Sequence, residues 1–141
     1  MSVDFNKADL LLRTVAKILD FIIICAALEI VPRAGFFAGL AYLLLGDGFF
    51  EGRSLGKKLV GLRVVSADTH APCTFRNSIL RNSTLGIGFL FIKISWVGWI
   101  ALTIISIFEF ILLLGSSNGM RIGDELAKTI VVESSLAKQE A

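Results

Sequence analysis

Charge is scarce in this sequence. Asp, Glu, Lys and Arg make up 18% of its 141 residues, where an ordinary soluble domain carries roughly a quarter. With a mean hydropathy of +0.76, that scarcity argues against an ordinary water-soluble domain. Histidine is nearly missing, since His70 stands alone. One imidazole in a polar turn can build neither a His-based metal cluster nor a Ser-His-Asp triad. No catalytic centre, metal or cofactor is therefore expected. Cys25 and Cys73 form no CxxC and occupy different surroundings, so they read as two buried thiols behaving as small apolar side chains. The net charge is only +2, and no basic patch interleaved with aromatics appears, so nucleic acid is not an expected partner. There is no internal repeat and no low-complexity segment.

What the sequence has is long apolar runs. The first, Leu10–Val31, would be about 33 Å long as a helix, matching a bilayer core of roughly 30 Å. It is too long for the apolar region of a signal peptide, and Asp20 and Glu29 interrupt it, so a retained helix is expected. A turn at Pro32-Arg33 follows. The second run, 34–50, is rich in Phe and Leu and would span about 25 Å. Its Gly35 and Gly39 have a GxxxG-like spacing that lets helices approach closely. The third stretch, Leu85–Leu114, is about 45 Å as one helix, too long for one untilted span and short for two. Lys93, Ser95 and Gly98 mark a break flanked by Trp96 and Trp99, residues that favour membrane interfaces. A short helix over 78–92 and a full one over 96–114 are expected. One tilted helix with the C-terminus outside is the rival.

Between the second and third runs lies a polar middle. It holds Arg53, Lys57, Lys58, Arg63, Arg76 and Arg81 against Glu51 and Asp68. The positive-inside rule places this loop, and with it the N-terminus, in the cytoplasm. Leu62–Val65 is β-prone and is followed by a turn-rich stretch, so Cys73–Phe75 is expected to return as the second strand of a small hairpin within 51–77. Arg76–Asn82 reads as an interfacial helix with Arg76 and Arg81 near head groups. The glycines and lysines of Gly52–Lys58 fail the GxxxxGK[ST] spacing of a phosphate loop, and read as a basic loop held to anionic lipid. Thr129–Val132 is β-branched, leans towards strand, and could pair with Leu62–Val65. Residues 133–141 read as a tail.

The candidate site residues lie in the apolar runs. On a helix, Lys17 falls about 40° and Asp20 about 20° around from Arg13, so the three form one stripe. An ionisable residue in hydrocarbon costs about 2.5–3.5 kcal/mol on insertion scales, so the stripe must face inward. Asp20, roughly 15 Å into the span, reads either as a proton- or cation-binding carboxylate or as part of a buried pair that fixes helix packing. Asp47 ends the second run. Glu109, deep in the last, has no obvious local partner. Lys17, Asp20 and Glu109 are the candidates for an ion or proton pathway.

Several ordered blocks together resemble the RDD family of membrane proteins. Arg13-(x6)-Asp20 resembles its first Arg and Asp. Phe50–Val65, with Glu51-Gly52-Arg53-Ser54-Leu55-Gly56-Lys57-Lys58 at its heart, resembles its central signature. Arg76-Asn77-Ser78-Ile79-Leu80-Arg81-Asn82 resembles its "RN…RN" helix, and Arg121–Val132 its terminal block, which supplies the second Asp as Asp124. Lys128 departs by standing where many members would have glycine. The resemblance marks Arg13, Asp20 and Asp124 as the family motif and implies a transport role, by way of members linked with cation–proton exchange.

The expected architecture is an all-α integral membrane domain over 1–141: a small bundle of three to four membrane helices with a short cytoplasmic β-hairpin. The expected location is the bacterial cell (inner) membrane. Expected partners are the lipid bilayer, a second copy or another membrane protein, and a monovalent cation or proton. A non-transporting accessory protein is the alternative to transport. If both lie at the inner surface, Arg13 and Asp124 should pair and close the bundle.

Overall fold

The computed structural model describes residues 8–31, 33–93, 96–116 and 120–134. The stretch before residue 8, Pro32, 94–95, 117–119 and residues 135–141 of the expected tail lie outside the described residues, while Glu133, expected to begin that tail, instead ends a strand. The chain is mostly helical, with one two-stranded antiparallel sheet.

The first run forms α1, Leu10–Ile30, which starts where the Asp9 carboxylate accepts from the Leu11 N–H. Its buried residues Ala16, Asp20 and Ile24 recur every four positions and make the inward stripe. Leu11, Val15, Ile18 and Ile22 form the opposite, exposed stripe. The second run ends earlier than expected. The helix α2 covers Gly35–Leu45, and a single 3₁₀ turn follows over Gly46–Gly48. Gly35 and Gly39 both face α1: a methyl on Gly35 would strike the Ala27 backbone, and one on Gly39 would press on Ile24. Two helices thus approach where two small residues permit it.

The expected hairpin within 51–77 is not formed. The strand β1, Leu62–Ser66, pairs antiparallel with β2, Thr129–Glu133, in the register Leu62↔Glu133 to Ser66↔Thr129. The local return is confined to the Val65↔Pro72 bridge, with Ser66 N–H donating to Ala71 O and Cys73 N–H to Val64 O. β2 offers a run of β-branched residues and a full ladder, whereas Thr74 in the middle of the expected return strand is instead the N-cap of a helix, accepting from the Asn77 N–H. That helix, α4, covers Phe75–Leu90, and so starts before the expected residue 78. A 3₁₀ turn over Phe91–Lys93 separates it from α5, Trp96–Gly115. The polar middle is also not a plain loop, because Ser54 caps a short helix α3, Leu55–Leu59, that packs on α1.

Ala8 donates its N–H to Val131 O at 3.1 Å, tying the start of α1 to β2. The start of α1, β1 and β2 therefore gather at one end. The helical hairpins α1–α2 and α4–α5 both open towards it, with α2 packed on α4. One core lies between the helices around Ile24, Phe36, Leu43, Leu85 and Phe89. A second lies under the sheet around Ala16, Leu62, Val64, Cys73 and Val131. Cys73 is buried as expected, but Cys25 is exposed on α1.

Among the described residues, α5 is the one helix both long and apolar enough to cross a membrane. Its exposed surface carries Trp96, Val97, Ile100, Ile104, Ile107, Phe108, Ile111 and Leu114. Soluble monomers rarely leave so large a contiguous apolar face in water.

Candidate functional site

The charged residues of the apolar runs converge where α1, α3, α4, α5 and the short helix α6, Ile122–Leu126, meet near the sheet. Asp20 is 5% exposed. Its carboxylate accepts three hydrogen bonds: from the Tyr42 hydroxyl at 2.6 Å, the Ser54 hydroxyl at 2.6 Å and the Gly56 N–H at 2.9 Å. Ser54 serves twice, because its Oγ also accepts from the Lys57 N–H at 3.3 Å and caps α3. Gly56 is small because α3 lies directly on α1. A Cβ there would strike the Ala16 carbonyl and the Asp20 carboxylate. The sequence placed Arg13 and Lys17 as the cations nearest Asp20. The three direct donors instead come from α2 and the central signature.

Arg13 reaches the other end of the chain, donating to Asp124 Oδ2 at 2.8 Å. This is the pair expected at the mouth of the bundle. Asp124 also faces Arg81 Nη2 at 2.7 Å and Arg121 Nη2 at 3.6 Å, and it accepts from the Arg121 N–H at 3.3 Å. Burial alone would push its carboxyl up, but the guanidiniums of Arg81, Arg121 and Arg13 outweigh burial and hold it at about 2. Arg81 is the hub. It is 0% exposed and spans Asp124 and Asp47, with its Nε 3.4 Å from Asp47. The expectation that it lies near head groups is therefore corrected: α4 turns this face towards α6, where Gly123 is needed to clear the Arg81 backbone.

Asp47, in the turn after α2, pairs with the Lys57 ammonium and accepts from Asn82 Nδ2 at 3.3 Å. Burial raises its pKa, but Lys57 and Arg81 override this and keep it well below the usual carboxylate range. Lys57 is itself only 6% exposed, so it is not one of the residues of a lipid-facing basic loop. Glu109 accepts from the Thr84 hydroxyl and from Arg121 Nη1 at 3.3 Å. The partner missing from its own run comes from α4 and from the segment before α6. Lys17 makes no ion pair or hydrogen bond among the described residues, and its ammonium sits 5.5 Å from the Phe21 ring.

Two cavities border this network. One, of about 180 Å³, is lined on the polar side by Arg13, Lys17, Lys57, Arg81, Arg121 and Glu109. A much smaller one touches Lys17, Asp20, Tyr42, Asp47 and Ser54. Sequence reasoning missed Tyr42, Ser54, Thr84 and the inward roles of Lys57, Arg81 and Arg121. A usable signal was present for Ser54, an N-cap residue just before a lysine-rich turn.

The RDD family model matches residues 33–128. This chain belongs to the RDD family. Of the three motif residues, Asp124 lies within the match, while Arg13 and Asp20 precede it. Both are nevertheless joined to it physically, Arg13 through Asp124 and Asp20 through Ser54 and Gly56. Neither a curated protein nor a solved structure matches the chain. Membership of the RDD family, with the apolar α5, makes this a membrane protein of that type.

Proposed function

We infer that this RDD protein is a membrane-embedded accessory that holds a binding site inside the bundle and does not translocate cations or protons. One observation carries the reading: each of the seam carboxylates Asp20, Asp47, Glu109 and Asp124 is already held by donors of the chain itself. A carrier carboxylate must exchange its partners at every turnover. Asp20 would have to give up three hydrogen bonds that dock α3 on α1. The larger cavity offers a cation one carboxylate among five cationic side chains, and like charges in a low-dielectric site repel strongly.

In this reading the two helical hairpins enter the membrane from one side. The N-terminus, β1 and β2 stay on that side, which the positive middle segment marks as cytoplasmic. Four passes result, with α2 and α4 the short ones. The chain performs no chemistry on a substrate, and its partners are lipid and other membrane protein.

Lys17 supports a second reading. It lines both cavities and so connects Glu109 with Asp20 along the route a proton or monovalent cation would take. Proteoliposomes carrying a pH-sensitive dye separate the two readings. On imposing a Na⁺ or K⁺ gradient, the accessory reading expects the proton flux of protein-free liposomes. Cation-dependent flux that disappears in Asp20→Asn would overturn it.

A further inference from the structure

The cationic cavity continues into an apolar track. Ile18 and Phe21 line the cavity and also begin a groove that runs along α1 past Ile22, Cys25 and Ala26 to Glu29. From Ile18 to Glu29 is about 16 Å of helix. The cationic cavity is lined by both α1 and α5, and the groove beyond it by α1. α1 packs on α2 and α3, and α5 on α4, so these two helices flank the cleft without packing closely on each other.

The charge at the deep end is not balanced. The cations Arg13, Lys17, Lys57, Arg81 and Arg121 face the carboxylates Asp20, Asp47, Glu109 and Asp124, five against four. The surplus falls on Lys17, which has no anionic partner within 4 Å among the described residues. Arg81, fully buried beside the same cavity, keeps Nη1 without a hydrogen-bond partner among the described residues. A volume of about 180 Å³ corresponds to roughly six waters, enough for a tetrahedral oxyanion. We propose that this cleft binds one anionic phospholipid, its phosphate beside Lys17 and an acyl chain in the groove along α1. Basic pockets between membrane helices bind acidic head groups on this physical ground. The groove favours a lipid over a free anion, which would leave the apolar track unused. The inference rests on the accessory reading only in placing α1 within the bilayer.

The test uses the full chain purified in a neutral detergent and titrated with dioleoyl phosphatidylglycerol, dioleoyl phosphatidylcholine or inorganic phosphate. Native mass spectrometry and the melting midpoint are the readouts. The expected result is a one-to-one phosphatidylglycerol adduct with a raised midpoint, and neither effect from phosphatidylcholine or phosphate at the same concentration. Lys17→Gln should weaken phosphatidylglycerol binding about tenfold with the lipid-free midpoint retained, because Lys17 holds no ion pair among the described residues. Ala26→Trp, which fills the groove away from every charge, should weaken it as well. Equal effects of the two lipids would overturn the proposal. So would binding unchanged by both substitutions, or inorganic phosphate acting as well as the lipid. A positive flux assay would reject the accessory reading and leave these binding outcomes to be judged separately.

Discussion

At the scale of single residues, burial without full neutralisation by one partner is the recurring arrangement. Asp124 is 1% exposed and faces three guanidiniums, so its loss takes one shared carboxylate from three buried or half-buried cations at once. Removing one member of a buried pair costs about 3–5 kcal/mol. Asp124→Ala should fall in that range. Arg13→Ala should cost less, because Arg81 and Arg121 still hold the carboxylate. The double variant should melt close to Asp124→Ala alone, and fully additive losses in detergent-solubilised protein would contradict the pairing. The charge stripe of α1 was legible from spacing and the price of charge in hydrocarbon. The Arg13–Asp124 pair was anticipated too; the other partners were not, because Ser54 and Gly56 lie far along the chain from Asp20, and Arg81 from Asp124, and only the tertiary fold brings them together.

At the scale of elements, periodicity and apolar length located α1, α5 and the start of α2, though α2 stops five residues short of its apolar run, and the break after α4 followed from a stretch too long for one helix. The sheet shows where local reasoning stops. A strand at Leu62–Val65 was readable from β-propensity, and so was Thr129–Val132 as one possible partner, but which of the two offered pairings carries the ladder was decided by contacts distant in sequence. Thr74 starts α4 rather than continuing a hairpin, which leaves β2 to complete the ladder. The turn into β2 contains the departure noted in the sequence. Lys128 has φ 49°, a left-handed conformation that penalises a side chain by roughly 1–2 kcal/mol and suits glycine. Its backbone still donates to Glu125 O and accepts from Ala67 N–H, bonds that glycine would keep. Lys128→Gly should therefore raise the melting midpoint, by an amount equivalent to about 1 kcal/mol. A lowered midpoint would show that the side chain, rather than the backbone, governs this turn.

At the scale of the whole molecule, one inward stripe of charge and one outward stripe of apolar residues on the same helix decide the account. The outward stripe of α1, Leu11, Val15, Ile18 and Ile22, is exposed, while Asp20 on the inward side is held by α2 and α3. Both hairpins converge on the sheet end, so the proposed placement puts the polar network where the bundle meets the aqueous face. In that placement the apolar surfaces of α1 and α5 face acyl chains. The most direct measurement is nitroxide labelling at Val15, Ile18 and Ile22, with Thr69 in the exposed turn after β1 as the aqueous reference, in reconstituted vesicles. The account predicts high collision rates with oxygen and low rates with a water-soluble nickel chelate at the three α1 positions, and the reverse at Thr69. Labels at Ile18 and Ile22 as open to the chelate as Thr69 would contradict it.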